Sequence, residues 1–179
     1  NRREWRGDGP GWARDGESME IKSVGIIGAG QMGSGIATVV AQHGYDVLLH
    51  DVSPERVQSG LDSVRKNLNR QLSRGHIDQS AVDAALSHVR AAQNLEEIGQ
   101  TDLAIEAATE NEEIKKSIFR QLTPLLKPEA LLASNTSSIS ITRLASTTDR
   151  PERFIGLHFM NPVPVMKLVE IISGIATNQ

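Results

Sequence analysis

The sequence predicts an α/β chain built as a doubly wound, mostly parallel sheet with helices on both faces. Three observations predict it. Short apolar runs of strand character alternate with stretches of helical period from Ile21 onward. The first such run passes straight into a glycine turn and a helix, Val24-Gly-Ile-Ile-Gly28-Ala-Gly30-Gln-Met-Gly33. Polar residues gather just after the strand-like runs, at the edge where open sheets of this class hold ligands.

Each element follows from local signals. Residues 24–27 form the first strand, and the alanine- and valine-rich residues 36–41 continue the helix behind the glycine turn. Residues 46–50 are a second strand, which ends on Asp51. Ser53-Pro54 starts a helix, with a capping hydroxyl followed by proline at the first helical position. Val57, Leu61, Val64, Leu68 and Leu72 then form an amphipathic stripe that Gly75 closes. Residues 78–89 form a further helix, with Val82, Leu86 and Val89 on one face. Residues 102–106 are a short buried strand. Residues 111–126 are a helix with Ile114, Ile118 and Leu122 in line. A strand over 130–133, a short helix over 139–145, a strand over 153–158 and an extended run over 165–172 complete the order.

The glycine turn is what a dinucleotide site requires. Gly28 permits the tight turn, Gly30 lets backbone approach a pyrophosphate, and Gly33 lets the helix pack close to the strand. Gln31 and Met32 lie between the last two glycines, at the helix start, where free N–H groups and the positive dipole end face the phosphates. Asp51 lies at the spacing of about 20 residues expected for an acid that bonds the adenine ribose hydroxyls. A carboxylate there repels a 2′-phosphate, so NAD is favoured over NADP; Arg56 is the nearest basic residue after it. The fold expected is therefore of the Rossmann type.

Other polar residues converge on the same edge. Residues 106–111 follow one strand, Ser134-Asn-Thr-Ser-Ser138 follows the next, and His158 closes the strand before Asn161. In an extended run over 165–172, Glu170 shares a face with Met166, Leu168 and Ile172. A partly buried carboxylate needs a partner, and His158 is the natural one. The remaining histidines are less suited to chemistry, and none has metal-ligand spacing, so no metal site is expected. The absence of a Gly-x-Ser-x-Gly elbow argues against an α/β-hydrolase.

The whole composition narrows the class. The chain has 179 residues, a net charge of −3 and no cysteine. That length suits one domain. No basic run points to nucleic acid, and no apolar run reaches the ~20 residues of a membrane span. Lack of cysteine excludes disulfides and is compatible with a reducing cytoplasm. Residues 1–18 hold four Arg, four acidic residues, four Gly, Trp5 and Trp12 without apolar periodicity. They read as a disordered leader, with the cofactor domain over residues 19–179.

The segments Val24 to Gly33, Ala107-Ala-Thr-Glu-Asn111, Ala133-Ser-Asn-Thr-Ser-Ser-Ile139 and Gly156-Leu-His-Phe-Met-Asn-Pro-Val-Pro-Val-Met-Lys-Leu-Val-Glu-Ile171 resemble the 3-hydroxyacyl-CoA dehydrogenase family, and its bacterial 3-hydroxybutyryl-CoA dehydrogenases in particular. The resemblance implies reversible hydride transfer between NAD and C3 of an (S)-3-hydroxyacyl-CoA, in fatty-acid β-oxidation or butanoate-type metabolism. It implies that His158 is the general base and that Glu170 orients it. Ser137 and Asn161 would bond the substrate oxygen and help place the nicotinamide, and Glu110 and Lys115 would sit in the cofactor site. Met160 stands where the family usually has phenylalanine, a mild exchange. Family members continue into a helical C-terminal domain that completes the acyl-CoA cleft and makes most of the dimer interface, so the sequence up to Gln179 corresponds to the cofactor-binding half. Two other functions remain open: an NAD-binding module that does not turn over alone, and a related sugar-acid dehydrogenase, against which the segment from His158 to Glu170 argues.

Overall fold

The computed structural model describes residues 20–178, so the leader expected over residues 1–18 lies outside the described residues. The chain runs β1 (Ser23–Ile27), α1 (Gln31–Gln42), β2 (Asp46–His50), α2 (Pro54–Ser73), α3 (Gln79–Ser87), β3 (Val89–Ala91) and α4 (Leu95–Gly99). It continues through β4 (Leu103–Glu106), α5 (Glu112–Leu122), β5 (Leu131–Ser134), α6 (Ile141–Ala145), β6 (Phe154–Phe159) and β7 (Val169–Ser173). The strands form one sheet in the order β3-β2-β1-β4-β5-β6-β7. All neighbours are parallel except β7, which runs antiparallel to β6. This is the doubly wound order with its switch point between β1 and β4.

Alternation along the strands feeds one core on each face. Ile26, Leu49 and Ile105 join Ile36, Val64 and Leu68 of α1 and α2 on one side. Ile27, Ala104 and Leu132 join Ile98, Phe119 and Leu144 on the other. Phe119 and Phe154 meet edge to face there, with centroids 4.8 Å apart. Helix starts carry the caps their sequences promise: Ser53, Asp78, Asn94, Asn111 and Ser140 each accept a backbone N–H from the first turn.

Three sequence expectations are corrected. The helix expected over 78–89 stops at Ser87, and Val89 instead opens the edge strand β3. Three residues are too few to show a period of two, and the short helix α4 behind them is equally hard to read. In α5 the buried face is Lys115, Phe119 and Leu122, while Ile114 is 45% exposed. Of the expected stripe, Leu122 is buried and Ile118 packs against the core, while Ile114 turns outward and Lys115 and Phe119 take the inward places. The run expected over 165–172 is a strand only from Val169, and all five residues of β7 are exposed. Glu170 is therefore not partly buried among apolar neighbours; its side chain is 50% exposed. Alternation puts it on a covered face, but β7 is the edge strand of the sheet and its residues stay exposed.

At the opposite end of the sheet, Asp102 ties β1 to β4. Its Oδ2 accepts from the backbone N–H groups of Lys22 and Ser23 at 2.7 and 2.8 Å, and its Oδ1 pairs with Lys127. Burial pushes the carboxyl up, but the Lys127 ammonium, the two N–H groups and the Ser23 hydroxyl outweigh it and hold it well below the usual carboxylate range. A depressed folded-state value stabilises above the ordinary value near 4, and that contribution is lost as pH falls through the acid range. Asp102→Asn is expected to cost about 2 kcal/mol at pH 7 and to flatten the fall in stability below about pH 4. Urea titrations of both proteins from pH 7 to pH 3 check this, and equal stability at pH 7 contradicts it.

Candidate cofactor and active site

Parallel register brings the strand ends together. Ile27 pairs with His50 on one side and Glu106 on the other, and Glu106 pairs with Ser134. The loops that follow all open on one edge. Gly28 turns there with φ +109, and a Cβ on it would lie 2.6 Å from the Ala107 carbonyl oxygen. At Gly33 a Cβ would lie 1.6 Å from the Gly28 oxygen, so α1 packs against the turn only because that residue is glycine. A Cβ at Gly30 meets nothing within 4 Å. That open space lies at the start of α1, which has no side-chain cap and no acidic residue in its first turn. The free N–H groups and positive end of α1 therefore face open room, which suits a pyrophosphate.

A cleft of about 520 Å³ runs from this turn between the ends of β2 and β4 and the side of α5. Ile27, Gly28 and Gly30 line one part of it, and Leu95, Ile114 and Ile118 line another. Asp51 stands at its rim with an 11% exposed side chain. Its Oδ2 accepts from the Ala29 N–H at 2.7 Å and its Oδ1 from the Val52 N–H at 2.7 Å, which fixes the carboxylate beside the turn. Arg56 Nη1 lies 4.0 Å away and is mostly exposed. Sequence reasoning misses the apolar wall from α5, because Ile114 and Ile118 read as core. It also passes over His50. This histidine lines the cleft, burial lowers its pKa against the opposing charge of Asp51, and its Nδ1 is the buried side-chain atom among the described residues that has no partner.

On the far side of the sheet edge, antiparallel pairing sets His158 opposite Glu170. His158 Nδ1 lies 2.8 Å from Glu170 Oε2, so the pair expected from the sequence forms, on a strand edge rather than in a covered pocket. A carboxylate only accepts, so Nδ1 carries the proton and Nε2 is bare in the neutral ring. Asn161 follows β6 and accepts at Oδ1 from Gln31 Nε2 at 3.2 Å, which joins the start of α1 to the histidine strand. Met32, in the same turn of helix, packs at the margin of the core. Glu110 faces the loop after β5: its Oε2 accepts from the Ser137 N–H at 3.2 Å and from the Ser137 hydroxyl at 3.5 Å, and its Oε1 pairs with Thr136.

Lys115, which the resemblance implies sits in the cofactor site, has a fully buried side chain, with Nζ 2.8 Å from both Glu106 oxygens. The reason is its place on the inward face of α5, where Glu106 supplies the compensating charge.

Comparison with known proteins identifies the family. Residues 23–179 match the family described as "3-hydroxyacyl-CoA dehydrogenase, NAD binding domain". A 3-hydroxybutyryl-CoA dehydrogenase of Bradyrhizobium diazoefficiens is 58% identical over 158 residues, which are 88% of this chain and 54% of that protein. A 3-hydroxyadipyl-CoA dehydrogenase of Escherichia coli is 44% identical over 159 residues, 89% of this chain and 34% of the relative. The crystal structure of an (S)-3-hydroxybutyryl-CoA dehydrogenase from Ralstonia eutropha superposes with a TM-score of 0.85 at 44% identity, covering 88% of this chain and 56% of that one. The chain thus spans about half the length of the 3-hydroxybutyryl-CoA dehydrogenases it matches.

Proposed function

The chain belongs to the 3-hydroxyacyl-CoA dehydrogenase family through its NAD-binding domain, and from that premise we propose that it serves hydride transfer at C3 of a short-chain (S)-3-hydroxyacyl-CoA. The observation that carries the proposal is the His158–Glu170 pair at 2.8 Å, set on the same sheet edge as the glycine turn and joined to it through Asn161 and Gln31. NAD, when bound, supplies the hydride acceptor. Gly28, Gly30 and Gly33 with the start of α1 hold its pyrophosphate, and Asp51 takes the adenine ribose hydroxyls.

His158 Nε2 takes the hydroxyl proton as the C3 hydrogen departs with its electron pair. The imidazolium so formed stays beside the Glu170 carboxylate, which stabilises it. Asn161 is oriented by Gln31 at its oxygen, which leaves its Nδ2 free to donate to the substrate oxygen. Ser137 lies at the neighbouring loop, and its hydroxyl contact to Glu110 is at the outer limit of a hydrogen bond, so it turns readily to the substrate. In the reverse direction the same groups return the proton to a 3-oxo oxygen. A short acyl chain is proposed from the likeness to relatives named for 3-hydroxybutyryl-CoA. Fatty-acid or butanoate metabolism in the cytoplasm fits that substrate and a chain without cysteine.

A second reading is that residues 19–179 act as a cofactor domain that binds NAD without turning over. It is favoured by the open flank beside the histidine, where Val165, Leu168, Ile171 and Ile175 are all more than half exposed. In that reading the acyl-CoA cleft and a dimer interface belong to a further domain, as the family resemblance implies. The test is NADH oxidation by this chain with acetoacetyl-CoA, alongside NADH binding. Turnover supports the dehydrogenase reading. Binding without turnover supports the cofactor-domain reading, and a folded chain that does not bind NADH overturns both.

A further inference from the structure

The connection from β6 to β7 is held to the fold by very little. Of residues 161–170, Val163 alone is buried, and it packs into the same core as Ile36 and Ala37 of α1. Val165 and Met166 turn back on Pro162, whose oxygen accepts from their N–H groups at 3.0 and 3.1 Å, and their side chains stay exposed. Among the described residues, one side-chain hydrogen bond joins the connection to the rest of the chain, the bond at 3.2 Å from Gln31 Nε2 to Asn161 Oδ1. Asn161 is itself exposed, so its carboxamide is held by this bond and by the seating of Val163 two residues on.

Val163 meets α1 at Gly35. A Cβ on Gly35 would lie 2.9 Å from Val163 Cβ and 3.2 Å from its Cγ2, closer than packed carbons approach. Gly35 is buried within the helix, where alanine is the better helix former, so helix propensity does not ask for glycine at this place. Gln31 stands four residues before Gly35, on the same face of α1. The helix that begins at the glycine turn therefore offers two adjacent holds to one connection: a donor for Asn161 and an open seat for Val163.

We infer that Gly35 is a positioning residue that acts through Val163: room at Gly35 seats Val163 on α1, and that seat holds the Asn161 carboxamide against Gln31. The helix that takes the pyrophosphate and the residue that donates to the substrate oxygen are then fixed to each other before any ligand arrives. The catalytic consequence rests on the role proposed above for Asn161, whereas the placement of Asn161 in the ligand-free chain does not.

Two variants test the contact from its two sides. Gly35→Ala fills the seat, and Val163→Ala empties it. NMR of the folded, ligand-free chain reads two places. The first is the cross-peak between the Gln31 side-chain amide and Asn161, which is expected in the wild type and expected to be lost in both variants. The second is the His158 ring, whose Nδ1 faces Glu170 and whose strand is held by its pairing with β7 rather than by α1. Its nitrogen shifts are expected to stay at their wild-type values. Loss of the cross-peak together with a change at His158 marks a general loosening of the fold and overturns the inference. A cross-peak that persists in either folded variant, or that is absent from the wild type, overturns it as well. Should Gly35→Ala not fold, Val163→Ala decides alone, because the whole effect of Gly35 on Asn161 is assigned to the Val163 side chain. Acetoacetyl-CoA turnover is the second measurement. In each folded variant kcat/KM is expected to fall about tenfold, and an unchanged value overturns the positioning role. A wild-type chain that binds NADH without turnover overturns the dehydrogenase reading instead, and the NMR comparison still decides this one.

Discussion

If the chain turns over acetoacetyl-CoA as proposed, His158→Ala is expected to lower that turnover by about 10²- to 10⁴-fold, the range expected when a positioned acid–base group is removed. NADH affinity is expected to stay within about twofold, because the histidine lies across the sheet edge from the cleft beside the glycine turn. The two readouts together separate loss of chemistry from loss of fold. The loss falls on kcat and kcat/KM alike, since the proton moves only in the transition state. A variant that turns over at the wild-type rate removes His158 from the mechanism.

Glu170→Gln adds a graded second measurement. The carboxamide still reaches Nδ1 but offers either an oxygen or an NH₂ group, so it no longer specifies which ring nitrogen carries the proton. It also withdraws the negative charge that lies 2.8 Å from the imidazolium. Turnover is expected to fall, but by less than in His158→Ala. Nitrogen chemical shifts of the His158 ring report the same change in the ligand-free chain: protonation fixed at Nδ1 in the wild type, and a mixture of tautomers in the variant. A fixed Nδ1–H in both proteins contradicts the orienting role.

The sheet is legible in the sequence because its strands are short, apolar and punctuated. The glycine turn announces β1 and α1 together, and Ser53-Pro54 announces α2 by a cap whose oxygen the Arg56 N–H indeed finds at 3.3 Å. β3 and α4 escape notice because three and five residues hold no readable period. The pairing of His158 with Glu170 follows from the need of a carboxylate for a partner, yet the burial argument behind it is mistaken. The pair forms because antiparallel register sets the two residues opposite each other, which depends on the turn between β6 and β7 rather than on hydropathy. The burial of Lys115 is the complementary case. Residue type places it toward solvent, while its actual surroundings are set by Glu106, nine positions earlier on a different element. No single-residue scale carries a contact of that kind.

Asp51→Asn is expected to reverse much of the preference between the two nicotinamide cofactors. In the wild type each carboxylate oxygen accepts one backbone N–H, from Ala29 and from Val52, and keeps a further lone pair for a ribose hydroxyl. A 2′-phosphate there meets a like charge held in place by those same bonds. Two unit charges about 4 Å apart near a protein surface repel by about 4 kcal/mol, so a wild-type preference for NADH over NADPH of at least about 100-fold is expected even after screening. The asparagine oxygen still accepts from Ala29 and keeps the turn, and Val52, which is 87% exposed, turns to water. NADH then loses charge-assisted bonds and binds about tenfold more weakly. NADPH gains, because Arg56 Nη1, now 4.0 Å from the Asp51 oxygen and mostly exposed, is freed to meet the phosphate. Fluorescence titrations of both cofactors against Asp51→Asn, with and without Arg56→Ala, measure each contribution. Removing Arg56 should cancel the gain in NADPH and leave NADH unaffected. If Asp51→Asn leaves the ratio of the two affinities at its wild-type value, the carboxylate does not set the choice of cofactor.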